Sequence, residues 1–317
     1  MKQKIFTFLL IAVAGLTACR KDGVDPTIKE FDEQQIQSYL SSNSLTGFSR
    51  DTTGGDTTGM YYKIINPGTG PALEWSDRVS LVFTVKSYDG KYTSADTITN
   101  HFDDYLGHLQ QDGLPKGLQT AIHNVLKYKG ASMRLQIPSR LAYGKSGYGS
   151  GSVTNVNSRI AGNQCLDYYV HVIADQPAYD DLVIRNYLTA NSLSGYTKTA
   201  SGLYYKVIVP GTGVVGSIND LSVVTTTYTG AILNGTSFDE ASKTTAYEFT
   251  PATSDGLAGL VSGVSEGLKG YAAAGTSISL IMPSALGYGT SPPSSSGIPT
   301  HAPLRFEFQI TTVTQLE

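Results

Sequence analysis

The sequence predicts an α+β protein made of two copies of one domain. Each copy is an antiparallel β-sheet wrapped around a short amphipathic helix and preceded by another short helix. Three observations support this. The chain matches itself at a spacing of about 145 residues. β-Branched and aromatic stretches alternate with Gly- and Pro-containing turns, which is typical of strands. Apolar residues of the second copy also recur at helical spacing.

Length and composition fit two globular domains. The chain has 317 residues, which suits two domains of about 140 residues, each large enough to bury a core. It carries 23 basic and 26 acidic residues, for a net charge of -3. A nucleic-acid surface needs clustered Lys and Arg, so we expect no nucleic-acid partner.

The first residues resemble a targeting segment. Lys2 and Lys4 precede the apolar run "IFTFLLIAVAG", which is too short to span a bilayer as a mature helix. We therefore expect a signal peptide over residues 1–18. It ends in "LTAC", which resembles a bacterial lipoprotein box whose cysteine, here Cys19, receives diacylglycerol.

Lipidation of Cys19 predicts attachment to a membrane of the cell envelope. Acyl chains on the thiol and the new amine exceed the two signals needed for stable anchoring, and residues 19–30 form a flexible tether. Arg20 rather than Asp follows the cysteine, and by resemblance to enteric sorting rules this favours the outer membrane. The alternative is an ordinary signal peptide with a chance cysteine. We expect the other cysteine, Cys165, to be a small buried hydrophobe.

The internal repeat defines the domain organisation. Three pairs of segments match: "YLSSNSLTGF" with "YLTANSLSGY", "MYYKIINPGTG" with "LYYKVIVPGTG", and "PSRLAYG" with "PSALGYG". The repeat is far longer than a solenoid unit, so it indicates a duplicated domain. The copies are predicted at residues 31–176 and 178–317, with Pro177 between them.

Each copy starts with a predicted helix, over 33–41 and 179–190, followed by a strand and a Pro-Gly-Thr-Gly turn. In the second copy "SVVTTTYTGAIL" and "TSISLIMP" read as strands. The residues between them place one apolar face on a helix: Leu257, Leu260, Val261, Val264 and Leu268.

Asn234 and Gly235 predict a tight hairpin after the first of these strands. Asn-Gly favours a type I′ turn, in which both central residues have positive φ. The chain then folds back, and the hairpin brings Tyr228 close to Phe238 and Asp239.

The order of motifs in the second copy resembles the FKBP-type peptidyl-prolyl isomerase family. The matching segments are "YTGAILNGTSFD", "YEF", "LVSGVSEGLKG", "MPSALGYG" and "GIPTHAPLRFEFQI". They cover nearly all of residues 200–315. The first copy has the same order of segments, and it resembles the family mainly through its match to the second copy.

The resemblance implies a proline pocket in the second copy. The implied catalytic residues are Tyr228, Phe238, Asp239, Tyr288 and Phe306. The implied substrate-binding residues are Tyr247, Phe249, Leu260, Val261, Val264 and Ile298.

The family's pattern gives several of these residues distinct roles. Asp239 is expected to be a buried carboxylate that orients Tyr228, and the Tyr288 hydroxyl to donate to a substrate carbonyl. Val261 offers its backbone N–H. Val264 stands where the family usually has Trp, which leaves a deeper floor. Ile298 lies in "TSPPSSSGIP", read as an overhanging loop, with a disordered linker as the alternative.

The first copy departs further from the family pattern. Phe83 replaces the first Tyr, Thr93 follows Tyr92 where the carboxylate belongs, and Tyr143 is kept. Tyr168 is also kept, with Leu118 at the floor. We expect an inactive copy retained for binding or spacing.

His101 and His108 flank Asp103 and Asp104 at near-helical spacing, which could suggest a metal. No closing ligand is evident, so we predict neither metal nor cofactor.

These observations predict an isomerase acting on X-Pro-containing polypeptides during the folding of exported proteins. The alternative to a substrate pocket is that these aromatic residues only pack in the core. One rival function is a non-catalytic, chaperone-like peptide or protein binder, which the Val264 floor supports. Another is a purely structural spacer.

Overall fold

The computed structural model describes residues 26–149, 159–241, 247–249 and 260–315. For residue 241 and residues 247–249 it describes the backbone only. The predicted signal peptide, Cys19 and Leu257 lie outside the described residues.

Within the described residues, the first copy contains two helices of six or more residues, a four-residue helix Thr53–Asp56, and seven strands. In chain order the two longer helices and the strands are α1 Ile28–Ser42, β1 Ser49–Arg50, β2 Tyr61–Asn66, β3 Arg78–Ser87, β4 Thr93–Ser94, β5 His101–Tyr105, α2 Lys116–Ala121, β6 Ser132–Ile137 and β7 Leu166–Ile173. A π-helical turn over Ile122–Leu126 extends α2.

The second copy repeats this order in its described residues. Its elements are α3 Gln176–Ala190, β8 Thr197–Lys198, β9 Tyr204–Val209, β10 Ser222–Ile232, β11 Ser237–Ala241, β12 Tyr247–Phe249, α4 Ser262–Tyr271, β13 Ser277–Met282 and β14 Leu304–Gln315.

The two sheets have the same topology, and every strand pairing in them is antiparallel. The first runs β1-β2-β6-β7-β3-β4, with β5 also on β3. The second runs β8-β9-β13-β14-β10-β11, with β12 also on β10. The structure therefore confirms the predicted α+β class and the duplication.

Both leading helices begin earlier than the sequence predicted. Thr27 and Glu30 form a capping box that starts α1 at Ile28, which satisfies free N–H groups of the first turn. The helix thus includes the last three residues assigned to the tether. Asp175 accepts a hydrogen bond from the Ala178 N–H and caps α3, with Pro177 in the first turn, where a missing N–H costs little.

The predicted turn type at Asn234 is wrong. Gly235 has φ of 93°, whereas Asn234 is not among the residues with positive φ. The Gly235 N–H donates to the Ile232 carbonyl, and the Ile232 N–H donates to Thr236 O. This is a three-residue loop in which one left-handed glycine closes a wider turn.

Each sheet packs its concave face on the helix it surrounds. In the first copy Leu118 and Ile122 are fully buried against strand residues such as Leu135. In the second copy Val264 and Leu268 of α4 occupy the same place. Cys165 is buried as predicted, at 2% exposure, and burial raises the pKa of its thiol.

The loop between β4 and β5 of the first copy packs on the second copy. Ile98 contacts apolar residues of the second copy, and Asn234 Nδ2 donates to Asp96 Oδ2 at 2.7 Å. His301 Nε2 lies 2.5 Å from Asp103 Oδ2. Among the described residues, no helix is long and apolar enough to span a membrane.

Candidate active site

A cavity of ≈ 110 Å³ opens between α4 and the second sheet. Its lining is mostly aromatic and aliphatic and includes Tyr228, Asp239, Leu260, Val261, Val264, Tyr288, Phe306 and Phe308. For scale, a dry cavity of about 150 Å³ holds a benzene ring. The cavity therefore has the size and chemistry to take one small apolar ring.

Two neighbouring strands of the sheet build the ring-lined wall. Phe306 and Phe308 alternate with outward residues along β14 and so share a face. Their ring centroids lie 5.8 Å apart, and Tyr228 of β10 lies 5.5 Å from Phe308. Phe306 and Phe308 are 5% and 3% exposed, so this wall is nearly water-free.

A β-bulge explains how two adjacent residues reach the same side of the hairpin. Gly230 pairs with Asp239, but Ala231 pairs with Ser237, which leaves Phe238 as the extra residue. Without the bulge, Phe238 and Asp239 would point to opposite faces. The Phe238 ring meets Phe306 edge-on at 5.6 Å.

Gly230 makes that aromatic contact feasible. A Cβ at this position would lie 2.7 Å from a Phe306 ring carbon and 3.0 Å from the Phe238 ring. Any larger residue would push the two rings apart, so the glycine is a packing requirement of the site.

The Tyr228 hydroxyl donates a hydrogen bond of 2.8 Å to Asp239 Oδ2, as the resemblance implied. The carboxylate, however, is exposed, so the expectation that Asp239 is buried is wrong. Asp239 follows the bulge on β11, pairs with Gly230 of β10 and lines the cavity. Because the carboxylate is exposed, water screens its charge.

Tyr288 follows a short 3-10 turn, Ser284–Leu286, and its half-buried ring lines the cavity. Burial, reinforced by the negative charge of Asp239, raises the pKa of the Tyr288 hydroxyl above its usual value. Like any tyrosine, Tyr288 is a protonated hydrogen-bond donor at neutral pH.

Helix α4 supplies the floor and one edge of the cavity. Val264, 2% exposed, forms the predicted floor, and Val261 is the residue preceding the helix, with φ −56° and ψ 138°. Its carbonyl accepts from the N–H groups of Val264 and Ser265. Val261 and Leu260 thus form the cavity edge at the start of the helix.

The structure brings together seven of the eleven pocket residues named from sequence: Tyr228, Asp239, Leu260, Val261, Val264, Tyr288 and Phe306. Phe238 instead supports Phe306 from the side. Ile298 is not among the residues that line the cavity; it is 7% exposed and packs in the same apolar cluster as Val264 and Phe306. The side chains of Tyr247 and Phe249 lie outside what the structure describes.

Phe308 is the lining residue that sequence reasoning missed. Strand alternation was the available signal, since Phe308 is two residues from Phe306 and therefore on the same face. The catalytic and binding roles assigned to these residues stay predictions, whereas their positions are observed.

Comparison with known proteins gives a family match for part of this chain. Residues 216–311 match the family model of FKBP-type peptidyl-prolyl cis-trans isomerase. The FkpA isomerase of Buchnera aphidicola from Acyrthosiphon pisum is 32% identical over 133 residues, 42% of this chain and 50% of that protein. FkpA of the Baizongia pistaciae strain is 30% identical over 144 residues, 42% of this chain and 53% of its own length.

Residues 216–311 belong to the FKBP family. The chain spans about half the length of the curated relatives it matches. Among solved structures, FkpA from Escherichia coli is 27% identical, covers 44% of this chain and 61% of its own, and has a TM-score of 0.36. The three FKBP domains of wheat FKBP73 are 17% identical over 85% of this chain and 99% of theirs, with a TM-score of 0.32.

In the first copy, the counterparts of two cavity residues are engaged by contacts within that copy. Tyr168, the counterpart of Phe306, is 1% exposed. The Tyr143 hydroxyl, counterpart of Tyr288, donates to the Gly113 carbonyl at 3.1 Å. Tyr148 stacks on the Tyr143 ring at 4.5 Å. The group that would face a substrate is therefore already engaged.

The histidines considered for a metal have other side chains as partners. His108 Nδ1 pairs with Asp104 at 2.8 Å, while His101 contacts Ser80 Oγ at 2.7 Å. Across the described ranges, no group of three or more His, Cys, Asp or Glu residues is arranged to hold a metal ion.

Proposed function

We propose that this protein is a peptidyl-prolyl cis–trans isomerase for X-Pro-containing polypeptides, with its activity in the FKBP-type domain. The observation that carries the proposal is the open, ring-lined cavity of ≈ 110 Å³ with Tyr288 in its lining. A prolyl ring matches its size and apolar lining. The family match and the two FkpA relatives support the same activity.

The chemistry needs neither a nucleophile nor a general base. The X-Pro C–N bond resists rotation because of its partial double-bond character, with a barrier of about 18–20 kcal/mol. Twisting the bond removes this resonance and makes the amide less polar. An apolar cavity that strips water from the amide therefore favours the twisted form over the planar one.

Hydrogen bonds then hold the twisted geometry. Tyr288, which like any tyrosine is protonated at neutral pH, donates to a substrate carbonyl. Asp239 orients Tyr228 through their 2.8 Å hydrogen bond. A ten-thousandfold acceleration requires only about 5.5 kcal/mol, which desolvation, positioning and one donor can supply.

The decisive test follows the relaxation of a short X-Pro peptide from cis to trans with the purified full chain. We expect acceleration above buffer, and Tyr288→Phe to lower kcat/KM about tenfold, the effect of one transition-state hydrogen bond. The matched control is Tyr143→Phe in the first copy, which should retain full activity. A wild-type rate equal to buffer eliminates the enzyme, and peptide binding without acceleration establishes the non-catalytic binder.

We further propose that the protein is a lipoprotein of the cell envelope, anchored through Cys19 in the outer membrane, where it assists the folding of exported proteins. The signal-like segment and the "LTAC" box support this. Labelling with radioactive palmitate should mark the wild-type chain in the outer-membrane fraction. Cys19→Ser should lose both the label and the membrane association, and Cys165→Ser should lose neither.

A further inference from the structure

The backbone around Tyr288 is set by one carbonyl group. Ser284 O accepts hydrogen bonds from the N–H groups of Gly287 and Gly289, both at 2.9 Å. These two residues flank Tyr288, so the position of Ser284 fixes where the Tyr288 ring enters the cavity. Whatever holds Ser284 therefore also holds the hydroxyl assigned to the substrate.

Asp180 of helix α3 holds Ser284. Its Oδ2 accepts from the Ser284 N–H at 2.7 Å and from the Ser284 hydroxyl at 2.6 Å. The carboxylate is 1% exposed, and Gln176 Nε2 donates to its other oxygen at 2.7 Å. A buried carboxylate with three donors is a rigid anchor, because leaving any of them unpaired is costly.

This anchor continues into the first copy. The Ser80 hydroxyl on β3 donates to Gln176 Oε1 at 2.9 Å, and His101 Nε2 lies 2.7 Å from the same hydroxyl. A chain of side-chain contacts thus leads from the first sheet through α3 to Ser284. Gln176 and Asp180 lie outside residues 216–311, the segment that matches the family.

A second connection reaches Tyr288 from its other side. The His301 N–H donates to Gly289 O at 2.7 Å, and its ring Nε2 lies 2.5 Å from Asp103 Oδ2 in the first copy. Arg78 Nε donates to the other Asp103 oxygen at 3.0 Å. The side chains of His301 and Asp103 are only 13% and 8% exposed, so water screens this pair weakly.

The first copy provides an internal comparison. Asn163 there occupies the place of His301: its φ is 57°, against 55° for His301, and its N–H donates to Gly144 O at 2.7 Å. Ser139 occupies the place of Ser284, yet its buried hydroxyl has no partner. Both copies thus have the same backbone hydrogen bond at this place, but only in the second copy does a carboxylate accept from the serine hydroxyl.

We propose that Asp180 and the Asp103–His301 pair are positioning residues for Tyr288, so that the first copy and helix α3 set the turnover of the second copy's site. This inference rests on the proposed isomerase function. It assigns the first copy a task that does not require a pocket of its own. None of the three residues contacts the cavity, and they act through the backbone on either side of Tyr288.

The test uses His301→Asn in the purified full chain. Asn keeps the left-handed backbone and its N–H bond, as Asn163 does, but removes the ring that reaches Asp103. We expect kcat for an X-Pro peptide to fall about fivefold with KM changed less than twofold, because Tyr288 acts in the transition state. Asp103→Asn should have the same effect, and the double variant should lose no more than either alone.

A second readout does not depend on activity. Amide hydrogen exchange at Gly287 and Gly289 should become faster in His301→Asn and in Asp180→Ala, and Asp180→Asn should restore part of the protection. Asp32→Ala, at the matching buried position of the first copy, should leave both the exchange and kcat unchanged.

These readouts separate the positioning inference from the proposed function. If the wild-type chain does not accelerate the peptide, the isomerase proposal fails, and exchange alone decides whether the first copy holds Tyr288. Unchanged exchange and unchanged kcat in His301→Asn overturn the inference even if Asp180→Ala does not fold.

Discussion

The hydroxyl of Tyr228 lies 2.8 Å from the carboxylate of Asp239 on the neighbouring strand. The pair exists because a bulge at Phe238 shifts the register by one residue. The exposed carboxylate of Asp239 thereby fixes the direction of the Tyr228 ring in the cavity wall. The contribution of this hydrogen bond to kcat/KM can be measured.

Asp239→Ala should lower kcat/KM about threefold to tenfold, since it removes one partly screened hydrogen bond worth about 0.5–1.5 kcal/mol. Tyr228→Phe should cause a similar loss, and the two changes should not add, because they remove the same contact. The adjacent exposed carboxylate provides the control: Glu240→Ala should retain wild-type kinetics. If the losses of kcat/KM in the two single variants add fully in the double variant, the Tyr228–Asp239 hydrogen bond is not their cause.

Val264→Phe should make the floor of the cavity shallower. Inserting a ring into a packed core normally costs about 1–3 kcal/mol, but here the open space beside Val264 can receive it. Because the resembled family usually carries a larger aromatic residue, Trp, at this position, we expect X-Pro peptide binding to be retained, with little change in the free energy of unfolding. Leu268→Phe, one turn along α4 and away from the cavity lining, should show the full stability cost. Peptide titration and urea unfolding of both variants test the contrast.

Acid should destabilise the first copy through His101. Burial, with the His301 ring stacked at 5.0 Å, lowers the pKa of His101 to about 4. In the unfolded chain His101 has its ordinary pKa of 6.5 and binds a proton as the pH falls below that value, whereas in the folded chain it stays neutral until about pH 4. The free energy of unfolding therefore falls as the pH drops from about 7 towards 4. Between pH 7 and pH 5 the loss is on the order of 1–2 kcal/mol.

Fluorescence of Trp75, the one Trp of the sequence, reports unfolding of this copy in urea. His101→Gln should reduce the difference in stability between pH 7 and pH 5. His108→Gln, at a side chain 42% exposed, is the control and should leave that difference unchanged. An equal pH response in wild type and His101→Gln would show that other groups, such as the half-buried His171 with its lowered pKa, cause it.

Cys165 should resist alkylation in the folded protein. Its thiol is buried and its pKa is raised by burial, with the nearby Asp32 carboxylate adding to the effect, so the reactive thiolate is scarce. Iodoacetamide at pH 8 should modify it only after urea is added, as mass spectrometry can follow. Rapid labelling without denaturant would contradict the burial of this site.

The sequence by itself determined the class of fold, the duplication and most of the cavity lining, since these depend on local patterns. Strand alternation, helical spacing and the ordered motifs around Tyr228, Val264 and Tyr288 are readable one segment at a time. The exact turn at Asn234 and the exposure of Asp239 were not readable, because a bulge depends on how two strands pair.

Only the tertiary structure decided what separates the two copies. Tyr143 and Tyr288 stand in matching motifs, yet one hydroxyl is engaged by Gly113 while the other ring lines an open cavity. The contacts from Asp180 to Ser284 and from Asp103 to His301 join residues 104 and 198 positions apart. No local pattern encodes such pairs, because burial and hydrogen bonding between distant segments arise only when the whole chain has packed.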